Sequence, residues 1–571
     1  MEFLLLDVGS SFIKYSFYDN GKRANSEIYV VPFPKPLVDD GVRYEVDRAL
    51  LDEAFLRIVD EAAERECTAA FISVQMHGYL LKHGGEFSNY ISWKDRRGLA
   101  VAEGSEKRDL YENGTVMKAN LPRASLMTYP ALAGREFFTL GSYLAYLLTG
   151  RNITHITDAC ASGLFLADSG AADSPFEGLA LPVTAREIAP CGSYKGMAIY
   201  PPMGDHQVSF LGAGALEGEA VLNIGTAAQL SALADAKDAH LDGVEYRPYF
   251  VKGRRVVTLS GLSGRDTAAM VSRIREMAEA YRGVRRILFG GGGAEDNYAL
   301  LVDELSALGY EAELCSQNLG NEGLKRIADG AYPRRGTMLS EVEFVNFPFV
   351  MKTAGLDFFI IDNEHGSFEN KTVTALAMNA RAAEMQAIVR LPNNDRAMIT
   401  KLADGGVSGF LLPMTNKKED IERVVEYAKY APDGKRGIST TRAHTGYGVA
   451  DLTEYMRTAN RRMKLYAQIE TRAGVENALE IASVPEVEGI FIGPNDLSCD
   501  YGCMGDNETI KRLISVICRA CLTVGKPCGI ITTDKDLIRH ALLSGCSMVS
   551  YGSEINMLKK GAKDIRNAEF L

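Results

Sequence analysis

The sequence predicts a multidomain α/β protein, two lobes followed by an eight-stranded β/α barrel, and three features carry that prediction. The chain is 571 residues long, which at about 150 residues per domain allows three or four domains. Before residue 333 a strand–turn–strand pattern occurs twice. LLLDVGSSFIKYSF (4–17) aligns without gaps on AVLNIGTAAQLSAL (220–233), an offset of 216. From residue 333 onward, short β-rich runs alternate with helix-forming stretches.

Composition narrows the function classes. Lys and Arg number 63 against 74 Asp and Glu, a formal charge of −11. An acidic chain of mixed sign with no long Lys/Arg block argues against nucleic acid or an anionic membrane as the main partner. Hydrophobic residues at 46% and charged residues at 24% are ordinary globular usage. No apolar run approaches the length of a membrane span. The start, MEFLLLDVGSS, has an acid at Glu2 and only a short apolar stretch, unlike a secretory signal. Ten cysteines are too sparse for a disulfide scaffold. A soluble, cytoplasmic, multidomain enzyme is the expectation.

The first half opens on the duplicated hairpin. Each copy is a buried strand, a Gly-Ser or Gly-Thr turn and a second alternating strand. Asp7 falls on Asn223, Gly9 on Gly225 and Ser10 on Thr226. Duplication implies two related lobes facing one another, 1–215 and 216–332; chance recurrence of a common hairpin is the alternative. Asp7 at the end of the first strand, Gly9 and Ser10 in the turn and Lys14 beyond suit a phosphate cradle. Backbone N–H groups and hydroxyls approach the phosphate there, and the carboxylate acts through Mg²⁺. Asn223-Ile-Gly225-Thr226 repeats the cradle. Ile287-Leu-Phe-Gly290 runs into Gly291, Gly292 and Gly293, where backbone must come close to a group such as adenosine. Met203-Gly204-Asp205-His206-Gln207 opens a small-residue helix. Asp205 is either a base for a sugar hydroxyl or a helix N-cap.

The second half, 333–571, supplies eight candidate strands: RGTMLSEV (335–342), DFFIID (357–362), AIVRL (387–391), GFLLP (409–413), LYAQIE (465–470), GIFIGP (489–494), CGIIT (528–532) and SMVSYG (547–552). Eight strands alternating with helices over this length are the signature of a (β/α)₈ barrel, whose active site lies at the carboxyl ends of the strands. The junction AYPRRG has one proline and no Gly/Ser linker, so the halves are expected to pack rather than to be loosely tethered. TIKRLISVICRACLTVG reads as an amphipathic helix with Ile510, Leu513, Ile514, Ile517, Cys521 and Leu522 on one face. Its Cys518-Arg-Ala-Cys521 is therefore read as small core residues in preference to a structural zinc site.

Polar residues converge on one barrel mouth. Strand two ends Asp362-Asn363-Glu364-His365, strand three ends at Arg390, strand five ends Gln468-Ile-Glu470, and strand six runs into Asn495 and Asp496. Glu470 and Asp496 form a two-carboxylate site suited to Mg²⁺ or Mn²⁺. Arg390 offers a fork for a substrate carboxylate. His365 suits a general base, with Asp404 from the helix before strand four orienting its imidazole. Such a set fits proton chemistry beside the carbonyl of a 2-oxo acid. A lysine Schiff base is the mechanistic rival, disfavoured because no lysine sits at these strand ends.

The words FIIDNEHGSF, VRLPNND, GFLLPMTN, KYAPDGKRGIS, AQIETRAGVEN and FIGPNDLS stand in family order, and residues 333–571 resemble the HpcH/HpaI family of metal-dependent pyruvate aldolases. The resemblance implies a TIM barrel that cleaves 2-oxo-3-deoxy-4-hydroxy acids to pyruvate and an aldehyde. It implies Glu470 and Asp496 as ligands of Mg²⁺, Mn²⁺ or Co²⁺. Arg390 and Gln468 would hold the pyruvate portion with Asn495 at the site, His365 and Asp404 would form the acid–base pair, and Asp362 would support the His365 loop. Asn363 departs from the glycine of many members. A homo-oligomer through the barrel is also implied.

Residues 1–332 resemble the FGGY carbohydrate kinases, of the actin-like, RNase H-like superfamily, and within them the sedoheptulokinase-like members. The words are DVGSSFIKYSFYD, SVQMHGYLL, SWKDRRG, LAYLLTGRNITHITDACASGLF, GDHQVSFLGAG and VLNIGTAAQLS. The resemblance implies ATP-dependent phosphorylation of a ketose or related sugar, with Asp205 as base. Gln75, His77, Trp93, Asp95 and Arg96 would lie near the sugar, Gly225 and Thr226 near the phosphates, and Gly291 and Gly292 near the adenosine. The second lobe is shorter than the family's, with the gap after LSGLSGRD. A bifunctional kinase–aldolase is thus weighed against an aldolase carrying a degenerate nucleotide- or sugar-binding module.

Overall fold

The computed structural model describes residues 1–21, 24–104, 109–224, 228–235, 244–262, 267–280 and 284–568. They form two compact units, Met1–Ala331 and Tyr332–Leu571. Among the described residues no helix is long and apolar enough to cross a membrane.

The first unit holds one sheet order twice. Strand β1 (Glu2–Val8) pairs antiparallel with β2 (Phe12–Asp19) and parallel with β4 (Ala69–Val74). Beyond β2 lies the antiparallel β3 (Tyr29–Pro32), and beyond β4 lie the parallel β5 (Met197–Ile199) and β6 (Met203–Gly204). Helix α1 (Asp205–Ala213) then leads to the second lobe. There β7 (Glu219–Ile224) pairs antiparallel with β8 (Ala228–Asp235). Outside β8 come β10 (Arg254–Leu262) and then β9 (Glu245–Pro248), both in antiparallel pairing. On the other side of β7, β11 (Arg286–Gly290) and β12 (Glu311–Leu314) run parallel. The duplicated hairpin is therefore the centre of each sheet, as expected for two related lobes. Phe3, Leu4, Leu5 and Leu6 are all fully buried, which is why this strand reads as a continuous apolar run rather than an alternating one.

The lobe boundary needs one correction. Helix α2 (Leu319–Ala331) follows the second lobe in sequence but packs on the first. Tyr18 donates to Asp329 at 2.9 Å, and Asn321 Nδ2 donates to Ser16 Oγ at 2.6 Å. It also crosses α1 backbone to backbone. A Cβ on Gly212 would lie 2.0 Å from the Leu319 carbonyl oxygen, and one on Gly323 2.0 Å from that of Val208.

The second unit is a closed barrel of eight parallel strands in chain order. They are β13 (Arg334–Leu339), β14 (Phe358–Asp362), β15 (Gln386–Arg390), β16 (Gly409–Leu412), β17 (Lys464–Ile469), β18 (Val487–Ile492), β19 (Cys528–Ile531) and β20 (Met548–Ser553). The returning helices include α3 (Asn370–Ala382), α4 (Arg396–Asp404), α5 (Leu452–Arg462) and α6 (Asn507–Thr523). Phe358, Ile360, Ile388, Leu411, Tyr466 and Phe491 fill the barrel interior. Phe359, Ile361, Val389, Phe410 and Ala467 join the layer between strands and helices. The predicted amphipathic helix is α6, with Ile510, Ile514, Ile517, Cys518 and Cys521 buried.

Candidate active sites

Strand periodicity positions the barrel site. Side chains alternate faces, so Asp362 shares the inward face of Phe358 and Ile360, Arg390 that of Ile388, and Gln468 and Glu470 that of Tyr466. Asp362 and Arg390 are also register partners on neighbouring strands. Arg390 donates through Nε to Asp362 Oδ1 at 3.0 Å and through its terminal nitrogen to Oδ2 at 2.6 Å. Its other terminal nitrogen lies 3.2 Å from Glu364 Oε2. Burial pushes the Asp362 carboxyl up, but the Arg390 guanidinium overrides it and holds the group below its ordinary range. Asp362 Oδ1 also accepts from the backbone N–H groups of Glu364 and His365 at 3.2 and 3.3 Å.

Glu470 is the most perturbed group at the mouth. Burial pushes its carboxyl up to about 7, Asp496 and Glu364 add to the shift, and the Met414 backbone N–H and Arg390 oppose it. Met414 N donates to Oε1 at 2.7 Å and Gln468 Nε2 to Oε2 at 2.6 Å. Gln468 Oε1 is buried with no partner. A Cβ at Gly493 would lie 2.6 Å from Glu470 Oε2, so a larger residue there would displace that carboxylate. Asn495 and Asp496 follow, exposed, in the short helix Pro494–Asp500. A carboxyl raised first by burial and then by its acidic neighbours, beside an amide oxygen with no partner, fits a divalent cation.

His365 is exposed at the mouth, its Nε2 3.7 Å from Glu364 Oε2. Its expected partner, Asp404, does not stand beside it within the chain. Asp404 is the last residue of α4, which leaves the mouth after β15 and descends by about 1.5 Å per residue to the opposite end of the barrel. There its carboxylate accepts from Arg436 at 2.6 Å and faces His444 Nε2 at 3.5 Å. Glu364, to which the sequence reading gave no role, contacts both His365 and Arg390; its place in the DNEHG word was the available signal. No barrel strand ends in a lysine.

The cysteines of α6 belong to the core. Cys518 Sγ lies 3.5 Å from Cys546 Sγ and 3.9 Å from Cys528 Sγ, all three fully buried. Among the described residues they are the only cluster of three or more close ligand-type side chains.

In the first unit a cleft of about 150 Å³ gathers Asp7, Lys14, Asn223, Gly291, Gly292 and Asn318. Ser73 Oγ donates to Asp7 at 2.7 Å, and Lys14 Nζ to Asn318 Oδ1 at 3.3 Å. Gly9 and Ser10 occupy the β1–β2 turn; Gly225 and Thr226 lie outside the described residues. Asp205 is the first residue of α1, with Gly204 as N-cap, so its carboxylate is not the cap. Burial and then Asp7 push it up to about 7, against the pull of Arg247.

The expected sugar residues divide. Gln75 is buried, donating to the Gly9 carbonyl at 3.4 Å, with its own Oε1 unpartnered. His77 has a left-handed backbone, φ 67°, and its Nδ1 lies 2.6 Å from the Ala161 carbonyl. Burial and Lys118 bring its pKa down to about 3. Trp93 is half-buried under Lys94. Asp95, by contrast, is committed to a fork with Arg97 at 2.8 and 2.9 Å and to the Tyr44 N–H, a structural role, while Arg96 is exposed. Sequence reasoning missed Lys118, Glu245 and Arg247. Glu245 binds Lys118 at 2.8 Å and Arg247 at 3.0 Å and is held well below its ordinary range by Arg247 and Lys118, despite burial. Lys118 lies 127 residues before Glu245, a separation no local pattern reveals.

A closed parallel barrel with carboxylates, an amide and a guanidinium gathered at the carboxyl ends of its strands defines a TIM-barrel enzyme. Residues 349–560 match HpcH/HpaI aldolase/citrate lyase, and through them the chain belongs to that family. It is 34% identical over 220 residues to a hydroxypyruvate/pyruvate aldolase of Roseovarius nubinhibens, covering 38% of this chain and 84% of the relative. It is 29% identical over 218 residues to a 5-keto-4-deoxy-D-glucarate aldolase of Salmonella arizonae, again 38% and 84%. A carbohydrate kinase structure from Novosphingobium aromaticivorans aligns at 14% identity and a TM-score of 0.45, covering 58% of this chain and 91% of that one.

Proposed function

We propose that the barrel half cleaves a 2-oxo-3-deoxy-4-hydroxy acid reversibly to pyruvate and an aldehyde. The observation that carries this is the set of Asp362, Arg390, Gln468 and Glu470 at the carboxyl ends of β14, β15 and β17, with Gln468 Oε1 buried and without a partner. The Glu470 carboxyl, pushed up to about 7 by burial with Asp496 and Glu364 adding to it, supports a cation there. Glu470 and Asp496 would hold Mg²⁺, Mn²⁺ or Co²⁺; when bound, such an ion supplies a positive centre for charge developing on the 2-oxo oxygen. Arg390, fixed by Asp362 and Glu364, presents its fork to the substrate carboxylate. Gln468 aims its free amide oxygen into the same mouth, and Asn495 stands at the rim. His365, exposed beside Glu364, takes the proton of the 4-hydroxyl as the C3–C4 bond breaks and the aldehyde forms. A proton delivered to C3 completes pyruvate. The named activities of the two aldolase relatives support the pyruvate end of this reading. Pyruvate release from a 2-oxo-3-deoxy sugar acid should vanish with EDTA, return with Mg²⁺ or Mn²⁺, and be absent in Glu470→Ala. Metal-independent release by that variant would overturn the site.

For the first unit the proposal is ATP-dependent phosphorylation of a ketose or related sugar. Asp205 would be the base, Asp7, Lys14, Gly291 and Gly292 the nucleotide side, and Gln75, His77 and Trp93 the sugar side. A second reading, a nucleotide- or sugar-binding module attached to an active aldolase, is favoured by one dimension. The cleft of about 150 Å³ is smaller than the roughly 300–1,000 Å³ of ordinary ligand sites, so turnover requires the lobes to open. ADP release with a panel of ketoses, lost in Asp205→Ala, supports the kinase; no Asp205-dependent turnover supports the binding module. A cytoplasmic location and a homo-oligomer assembled through the barrel complete the proposal.

A further inference from the structure

The barrel carries a cavity of about 550 Å³ at the end away from the mouth. Arg334, Gln386 and Lys464 open β13, β15 and β17, so the cavity lies at the amino ends of the strands, where barrels of this kind place stability rather than chemistry. Its lining is strongly cationic: Arg334, Arg381, Arg436, Arg461, Arg462 and Lys464. Three of the six are already answered. Arg436 pairs with Asp404 at 2.6 Å, Lys464 with Glu488 at 2.8 Å and Arg461 with Glu454 at 3.3 Å. The other three have no carboxylate partner among the described residues. Arg334 bonds the neutral Gln386 amide and lies over Phe358, and Arg381 and Arg462 are exposed. Against them the lining offers one further acid, Glu384. Arg436, itself buried, keeps its Nε without a partner. The remainder of the wall is apolar, including Met385, Val407 and Met463.

We propose that this cavity binds a phosphorylated small molecule, with Arg334, Arg381 and Arg462 holding the phosphate. A surplus of two positive charges matches a phosphate dianion better than a single carboxylate, and guanidinium forks fit phosphate oxygens in pairs. The volume falls within the range of organic ligand sites and exceeds the need of inorganic phosphate, so the ligand has an organic body against the apolar wall. Its lining shares no residue with either proposed active site, and it does not rest on either reading.

The test is calorimetric titration of the full chain at low salt with pyrophosphate, a hexose 6-phosphate and ADP, comparing wild type with R381Q/R462Q. Both side chains are exposed, so the thermal transition should be unchanged. One class of phosphate sites should weaken by about 10- to 100-fold, the loss of two charge-assisted contacts, while binding in the cleft of the first unit persists. The tighter of the hexose phosphate and ADP identifies the body of the ligand. Identical isotherms for both proteins with all three probes would overturn the proposal. So would gluconate, which has a carboxylate and no phosphate, binding as tightly as the hexose phosphate and losing as much in the variant.

Discussion

Glu470 and Asp362 show how opposite shifts arise at one barrel mouth. Burial raises Glu470 to about 7 with acidic neighbours adding to it, whereas Asp362, equally enclosed, is drawn down by the Arg390 fork. A carboxyl whose folded pKa exceeds its unfolded one binds its proton more tightly in the native state. It stabilises fully below the unfolded value near 4.5, and that contribution is lost as pH rises through about 7. The metal-free protein should therefore lose on the order of 3 kcal/mol from this group between those limits. Urea melts across that window should show the fall in wild type and not in Glu470→Gln; equal slopes would refute the assignment. Arg390→Lys removes the planar fork and leaves Asp362 half-answered. It should cost about 1–3 kcal/mol in the same melts and raise the KM for the 2-oxo acid, because a point charge cannot hold Asp362 and a substrate carboxylate at once.

Helices α1 and α2 place Asp205 by touching at glycine. Gly323→Ala improves helix propensity by about 1 kcal/mol, but its Cβ would meet the Val208 carbonyl oxygen at 2.0 Å. Overpacking of that kind costs about 1–3 kcal/mol, sometimes more, and backbone cannot rotate away as a side chain can. Sterics should win, with the first unit's melting midpoint falling; a rise would show that the helices are free to part. The crossing also marks where sequence reading stops. The barrel strands were legible because each apolar run is bounded and ends in polar residues, and their period of two turns Asp362, Arg390, Gln468 and Glu470 inward. The duplicated hairpin was legible because Asp7 and Asn223 occupy matching strand ends. Family order fixes which helix carries Asp404 but not that nine residues of helix take it to the far end of its own barrel. Lys118, Glu245 and Arg247 were invisible because only tertiary folding joins them. That α2 would return to the first lobe left no local trace, since its Tyr18–Asp329 bond spans 311 residues.

Two units with separate cores imply two separable unfolding events. The barrel closes on itself, β13 pairing with β20, using no residue before Arg334, and its core cluster draws only on residues from Leu339 onward. Both lobes of the first unit likewise pack on their own clusters. A ligand that binds only the folded barrel should then stabilise only the barrel's transition. Saturation at about 100 times Kd adds roughly 2.7 kcal/mol, which for a unit of this size is a rise of about 5–10 °C. Calorimetry of the full chain with Mn²⁺ and pyruvate, in the absence of nucleotide, should move one transition by that amount and leave the other in place. Glu470→Gln should abolish the movement, and a sugar that binds beside Asp205 should move the other transition instead. A single transition, shifted as a whole by either ligand, would mean that the two units unfold as one cooperative whole and that joining them couples their stabilities.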